Sequence, residues 1–373
     1  MKICILTQPL YTNYGGLLQA YALQTVLKNL GHEVVTEDRR YDSHLTLIER
    51  LKRINWIRTL TGKRKIYYPD NQEMKVISQY TDQFIKKHIS VTGPVLSHDD
   101  NEIRNLAFDA YIVGSDQVWR PMYSPNLKNY FLDFTAGKNV KRIAYAASFG
   151  TDRWEFTPEQ TKVCSELVKK FDAISVREDS GVNLCREHLG VKAVTMLDPT
   201  LLLDKEEYIN LVFSEDEAEH DGNVMTYFLD RTELKDAITK EICRKLSGRP
   251  FCVTPEKKYS DVGPKGLYKC VYPSVTYWLK GFMDAEYIVT DSFHGTVFSI
   301  IFNKPFIAVA NKERGLSRFV SLLEMFGLED RLVFSIEDVS EDLIFHDIDF
   351  ARVNSIRKAE QAKAFSFLKK SLQ

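Results

Sequence analysis

The chain has 373 residues, 44% hydrophobic and 27% charged, a composition that excludes a disordered or collagen-like chain and predicts two domains. Fifty Lys and Arg against 51 Asp and Glu leave a formal charge of -1, without the strong positive field of a nucleic-acid binder, so nucleic acid is excluded as a partner. The six cysteines (Cys4, Cys164, Cys185, Cys243, Cys252 and Cys270) include no Cys-x-x-Cys pair and no nearby histidine cluster, which argues against a metal and predicts mostly buried thiols in a reducing compartment.

The apolar run over 2–7 is too short for a signal peptide or a membrane span, which predicts a cytoplasmic protein. It leads into the turn Asn13-Tyr14-Gly15-Gly16, after which apolar residues at 17, 18, 22, 23, 26, 27 and 30 recur at helical spacing as far as Gly31. A β-type run from His32 to Thr36 completes a βαβ unit. Its turn lacks G-x-G-x-x-G, so neither NAD nor FAD is indicated. From Arg39 to Lys65 the chain is basic, with Leu45, Ile48, Leu51, Ile54, Ile57 and Leu60 three residues apart. This spacing predicts an amphipathic helix, which either covers the first domain or docks on an anionic membrane surface.

Further buried strands are predicted at 110–113, 142–147, 173–176 and 193–197. Gly114-Ser115-Asp116, Ser148-Phe149-Gly150 and Arg177-Glu178-Asp179 follow three of them, at the carboxyl edge where open α/β sheets bind ligands. The acidic stretch over 204–221 predicts a linker. Beyond it, strands are predicted at 224–229, 251–253, 286–290 and 305–309, and helices at 232–246, 274–283, 294–303 and 316–326. The division is an N-terminal α/β domain over 1–210 that contains the basic insertion 39–65, a C-terminal α/β domain over 211–350, and a last helix over 351–373, expected from fold analogy to pack back on the N-terminal domain.

Within Glu286 to Ser299 a β-run ends in Thr-Asp-Ser and a helix begins at His294. Unpaired N–H groups in such a first turn favour a phosphate or carboxylate, and Gly295 lets an anion approach the backbone. The same pattern suits a capping or packing histidine, and Asp291 and Ser292 are also ordinary N-cap residues. Arg177, directly after a strand, is placed either to clamp an anion bidentately or to pair with Glu178 or Asp179. Lys312, Arg314 and Arg318, after the strand at 306–309, offer more positive charge or a solvated surface. Asn13, Tyr14, Gly15 and Gly16, with Gln19, form either a tight turn or a ligand-facing loop. Trp119, near Ser115 and Asp116, is either a stacking platform or core.

Taken in order, Asn13-Tyr14-Gly15-Gly16 with Leu18-Gln19-Ala20, Val113-Gly114-Ser115-Asp116-Gln117, Ser175-Val176-Arg177-Glu178, Leu197-Asp198-Pro199 and Asp291-Ser292-Phe293-His294-Gly295 resemble the polysaccharide pyruvyl transferase family. The resemblance covers nearly the whole chain. It implies two Rossmann-like α/β domains facing across a cleft, as in GT-B glycosyltransferases, and transfer of pyruvate from phosphoenolpyruvate to two hydroxyls of a sugar. Phosphate is released, and no metal or other cofactor is required. The implied acceptor is a polysaccharide or lipid-linked oligosaccharide precursor, with peripheral contact at the inner membrane face.

The resemblance makes His294 the acid/base and Arg177 the clamp on phosphoenolpyruvate. Asp291, Ser292, Gly295, Thr296, Lys312, Arg314 and Arg318 fall on the donor side. Asn13, Tyr14, Gly15, Gly16, Gln19, Ser115, Asp116, Trp119 and Ser148 fall on the acceptor side. Many relatives carry an arginine two places before the histidine; here Ser292 stands there, so one anion contact must come from elsewhere. The alternatives are a nucleotide-sugar-dependent glycosyltransferase of the same architecture and a non-catalytic protein of an envelope assembly complex.

Overall fold

The computed structural model describes residues 1–40, 66–96, 100–105, 107–124, 126–311 and 315–373. Most of the predicted basic helix, together with Lys312 and Arg314, lies outside the described residues. Its first two residues belong to a strand, and Arg39 is buried there with Nη2 donating to Glu37 Oε1 at 2.7 Å and Asn129 Oδ1 at 2.9 Å.

Seven parallel strands form the first sheet: β1 Lys2–Leu6, β2 Glu33–Arg40, β3 Val91–Leu96, β4 Ala110–Val113, β5 Lys141–Ala147, β6 Ala173–Val176 and β7 Val194–Thr195. Their order is β3-β2-β1-β4-β5-β6-β7. Five more form the second: β8 Val224–Tyr227, β9 Pro250–Cys252, β10 Tyr287–Thr290, β11 Phe306–Val309 and β12 Leu332–Val333, in the order β12-β11-β10-β8-β9. Strands β4, β8, β10 and β11 are buried at every residue, as parallel strands covered on both faces must be. In each sheet the strand order reverses once, between β1 and β4 and between β8 and β10. Open α/β sheets bind ligands at the carboxyl ends beside such reversals.

Nine helices of nine or more residues are described: α1 Tyr14–Asn29, α2 Gln79–His88, α3 Pro158–Val168, α4 Lys205–Phe213, α5 Glu233–Leu246, α6 Val275–Asp284, α7 Phe293–Ile301, α8 Ser317–Phe326 and α9 Phe350–Ser371. The predicted linker is helical in its first half. In α4, Tyr208, Leu211 and Val212 share one buried stripe, while Glu206 and Glu207 favour the helix N-terminus electrostatically. Neither α2 nor β3 was anticipated: β3 contains Gly93 and Pro94 and is mostly exposed.

One apolar core crosses between the sheets, joining Ile5, Leu17 and Tyr208 to Trp278, Phe298 and Leu368. Tyr14 of α1 stacks on Trp278 of α6 at 5.5 Å between ring centroids. Helix α9 returns to the first sheet's side, where Gln361 Nε2 donates to Leu201 O at 2.8 Å and Phe367 packs on Tyr145. Among the described residues no helix is long and apolar enough to cross a membrane.

Candidate active site

The turn after β10 is built from its own side chains. Thr290 Oγ1 donates to Tyr227 O at 2.8 Å and accepts from Ser292 N at 3.1 Å, which joins the ends of β8 and β10. Ser292 is the N-cap of α7, with its hydroxyl accepting from Gly295 N at 3.3 Å. Asp291 accepts from the backbone of Leu229 and Asp230 and from Lys235 Nζ at 2.5 Å, fixing the loop after β8. A Cβ on Gly295 would stand 2.2 Å from Thr290 Oγ1, so this glycine serves close packing of the turn. Thr296 is fully buried, donates to Ser292 O and does not border the cavity between the sheets.

His294 is the second residue of α7 and is 6% exposed. Its Nε2 lies 3.5 Å from Asp198 Oδ2, on the first sheet's side of the seam. A Cβ on Gly15 would stand 2.1 Å from its Nδ1, so only glycine allows the first turn of α1 to meet the imidazole.

Asp198 gathers the carboxyl edge of the first sheet. Its Oδ2 accepts from Ser115 Oγ and from Arg177 Nη1, both at 2.8 Å, and its Oδ1 accepts from Thr200 N at 3.0 Å and Thr200 Oγ1 at 2.7 Å. Burial alone pushes this carboxyl up, but His294, Arg177 and Thr200 together hold it well below the usual carboxylate range. Asp116, beside Ser115, adopts a left-handed φ of 76°, and its Oδ1 lies 3.7 Å from Arg177 Nη2.

Two guanidiniums flank one ring: Cζ of Arg177 lies 4.4 Å and Cζ of Arg318 lies 5.6 Å from the centroid of Phe293. Burial, then the charge of Arg177, pushes Arg318 down to about 10, which leaves it a cation at neutral pH.

A cavity of about 600 Å³ opens between the two sheets. Asp291, Ser292, His294 and Arg318 border it from the second sheet's side, and Asn13, Tyr14, Asp116 and Gln117 from the first. Its remaining wall is rich in rings, including Tyr227, Phe228, Tyr259 and Tyr272. Asn13 caps α1 by accepting from Gly16 N, and Tyr14 OH donates to Pro273 O.

Several predicted contacts are corrected by the geometry. Arg177 does not border the cavity: its side chain is 1% exposed and bound to Asp198. Trp119 is fully buried, stacked on Phe131 at 5.1 Å with Nε1 donating to Tyr130 O, so it is core and not a sugar platform. Gln19 is turned inward to Thr7 Oγ1 and Gly16 O. Ser148 is buried against Glu178. Ser115 reaches Asp198 and not the cavity. Asp198 stands in the Leu197-Asp198-Pro199 motif, where the one available signal for its role is a lone acidic residue between Leu197 and Pro199. Among the described residues no group of three or more His, Cys, Asp or Glu is placed to hold a metal ion.

The family model of polysaccharide pyruvyl transferase matches residues 13–313. The chain belongs to the polysaccharide pyruvyl transferase family. Membership makes it an enzyme whose acceptor is a sugar or oligosaccharide. No curated protein matches the transferase sequence. Among solved structures, UGT89C1 of Arabidopsis thaliana complexed with UDP-L-rhamnose is similar at a TM-score of 0.55 and 8% identity, covering 99% of this chain and 98% of that one. UDP-N-acetylglucosamine 2-epimerase from Rickettsia bellii is similar at 0.52 and 12% identity, covering 100% and 97%. At such identities the likeness shows the fold alone: this pyruvyl transferase has the two-domain GT-B architecture.

Proposed function

We propose that this pyruvyl transferase takes phosphoenolpyruvate as donor and forms a cyclic pyruvate ketal on two hydroxyls of one sugar, releasing phosphate. The observation that carries the reading is His294 and Arg318 on one cavity wall, with Asp198 and Arg177 held directly behind them. Arg318 meets the phosphate, and Arg177 adds fixed positive potential through the ring of Phe293. The first turn of α7 supplies backbone N–H groups where relatives carry an arginine. His294 gives a proton to the methylene carbon while a sugar hydroxyl bonds to the second carbon. The bond to phosphate then breaks and the second hydroxyl closes the ring. Cations placed in advance stabilise the charge that builds on the leaving phosphate.

The rings of Tyr227, Tyr259 and Tyr272 suit stacking on the apolar face of the acceptor sugar. We place that sugar in a polysaccharide or lipid-linked oligosaccharide precursor made at the inner face of the membrane. Calorimetry tests the donor directly. Heat on adding phosphoenolpyruvate, with none from UDP- or GDP-sugars, is the expected result; binding to the nucleotide sugars alone overturns the reading in favour of a glycosyltransferase.

A further inference from the structure

We propose that Asp198 is the positioning residue for His294, holding the imidazole proton on Nε2 and leaving Nδ1 to exchange protons with substrate. The assignment rests on the acid/base reading of His294 given above. Both oxygens of Asp198 are occupied by donors: Thr200 on Oδ1, and Ser115 and Arg177 on Oδ2. The carboxylate is therefore fixed in place and stays ionised. A nitrogen lone pair aimed at such an oxygen would be repelled, so the nitrogen facing it must carry the hydrogen.

Nε2 of His294 is buried without a completed hydrogen bond and lies 3.5 Å from Asp198 Oδ2, beyond the usual N–H···O length. Acid–base contacts of this length commonly tighten in the complex with substrate. The opposite nitrogen, Nδ1, lies against the backbone of Gly15, whose neighbours Asn13 and Tyr14 border the cavity together with His294.

Asp198 follows β7 of the first sheet, whereas His294 lies in the first turn of α7 of the second, so the pair exists only while the two halves are docked. Among the described residues, the charged groups that share the cavity or the Asp198 network with the ring are Arg177 and Asp116 from the first side, and Arg318 and Asp291 with its partner Lys235 from the second. Tyr145 and Tyr208 lie within reach of the charge of Asp198, and burial, the larger cause, pushes each hydroxyl up, so both are neutral.

The proton balance closes through one nitrogen. Nδ1–H of the imidazolium passes to the methylene carbon of phosphoenolpyruvate, and the first sugar oxygen bonds to the second carbon while its proton goes to the phosphate. The carbon–oxygen bond to phosphate then breaks, its electron pair leaving with hydrogen phosphate. The second sugar oxygen bonds to the same carbon, and its proton returns to Nδ1. Asp198 takes no proton at any step.

The test has two arms. In the wild-type chain labelled with ¹⁵N-histidine, the neutral form of His294 is expected to show a protonated Nε2 and an unprotonated Nδ1; the reverse tautomer overturns the proposal without any variant. In the second arm, pH profiles of kcat/KM with phosphoenolpyruvate are compared for wild type, Asp198→Asn and His294→Ala. Asp198→Asn is expected to lower kcat about 10²-fold and to change the pH profile, because the carboxylate facing the imidazole becomes a neutral amide. An inactive His294→Ala chain beside an Asp198→Asn chain with an unmoved profile sinks the Asp198 assignment alone. A fully active His294→Ala chain sinks the acid/base reading itself. If Asp198→Asn does not fold, the wild-type tautomer decides.

Discussion

Gly15 and His294 meet so closely that a Cβ on the glycine would lie 2.1 Å from the imidazole Nδ1. They come from different halves of the chain, the first turn of α1 and the first turn of α7, and no side chain fits between them. Gly15→Ala is therefore expected to displace the imidazole and lower kcat by about 10²-fold, the scale of a misplaced acid–base group. Because the backbone around Gly15 is helical, circular dichroism of the variant should remain native. Wild-type kcat in this variant would contradict the placement of His294 at the reacting atoms.

Asp198 links the site to acid stability. Its folded carboxyl titrates below the unfolded value, so its contribution is present above the unfolded pKa of about 4 and is lost as pH falls through the lower folded value. Removing one member of a buried pair costs about 3–5 kcal/mol, and Asp198→Ala is expected to cost that much at pH 7. Denaturant unfolding across pH should show the gap between wild type and variant closing only below about pH 4. A gap that is constant down to strong acid would show that the carboxylate is not the source.

Arg318 reaches the cavity and Arg177 does not, which separates their roles. Arg318→Ala is expected to raise KM for phosphoenolpyruvate about 10- to 10²-fold, the scale of a lost hydrogen bond to a charged group. Arg177→Ala should instead lower stability strongly, since it strands the buried carboxylate of Asp198. Thermal melts and donor titrations of the two variants distinguish the assignments.

Trp119 provides the control. As a buried core ring it is expected to cost about 3–5 kcal/mol on truncation to Ala, whereas Trp119→Phe should leave KM for the acceptor unchanged. A rise in acceptor KM with no loss of stability would restore the sugar-platform role.

The β8 and β10 strands and the turn at Asp291 to His294 were legible because each is local: an apolar run, an N-cap serine and a helix follow one another within a few residues. The last helix was legible from composition, but its docking on the first sheet through Gln361 and Phe367 depends on long-range packing. Trp119 was ambiguous because a buried indole and a ligand-stacking indole leave the same trace in one sequence. Helix α4 was hidden by the acidic residues beside it, although Tyr208, Leu211 and Val212 carry helical spacing. The contact of Asp198 with His294 was out of reach for a different reason. It joins the carboxyl edges of two separate sheets, a relationship that no local periodicity encodes.

The most direct measurement incubates the protein with phosphoenolpyruvate and candidate polysaccharide or lipid-linked oligosaccharide precursors, following phosphate release and product mass together. The account predicts phosphate release that depends on acceptor, with a product heavier by one pyruvyl group and lacking two free hydroxyls, and neither signal from His294→Ala. Sugar transfer from a nucleotide donor, with phosphoenolpyruvate left intact, would contradict it.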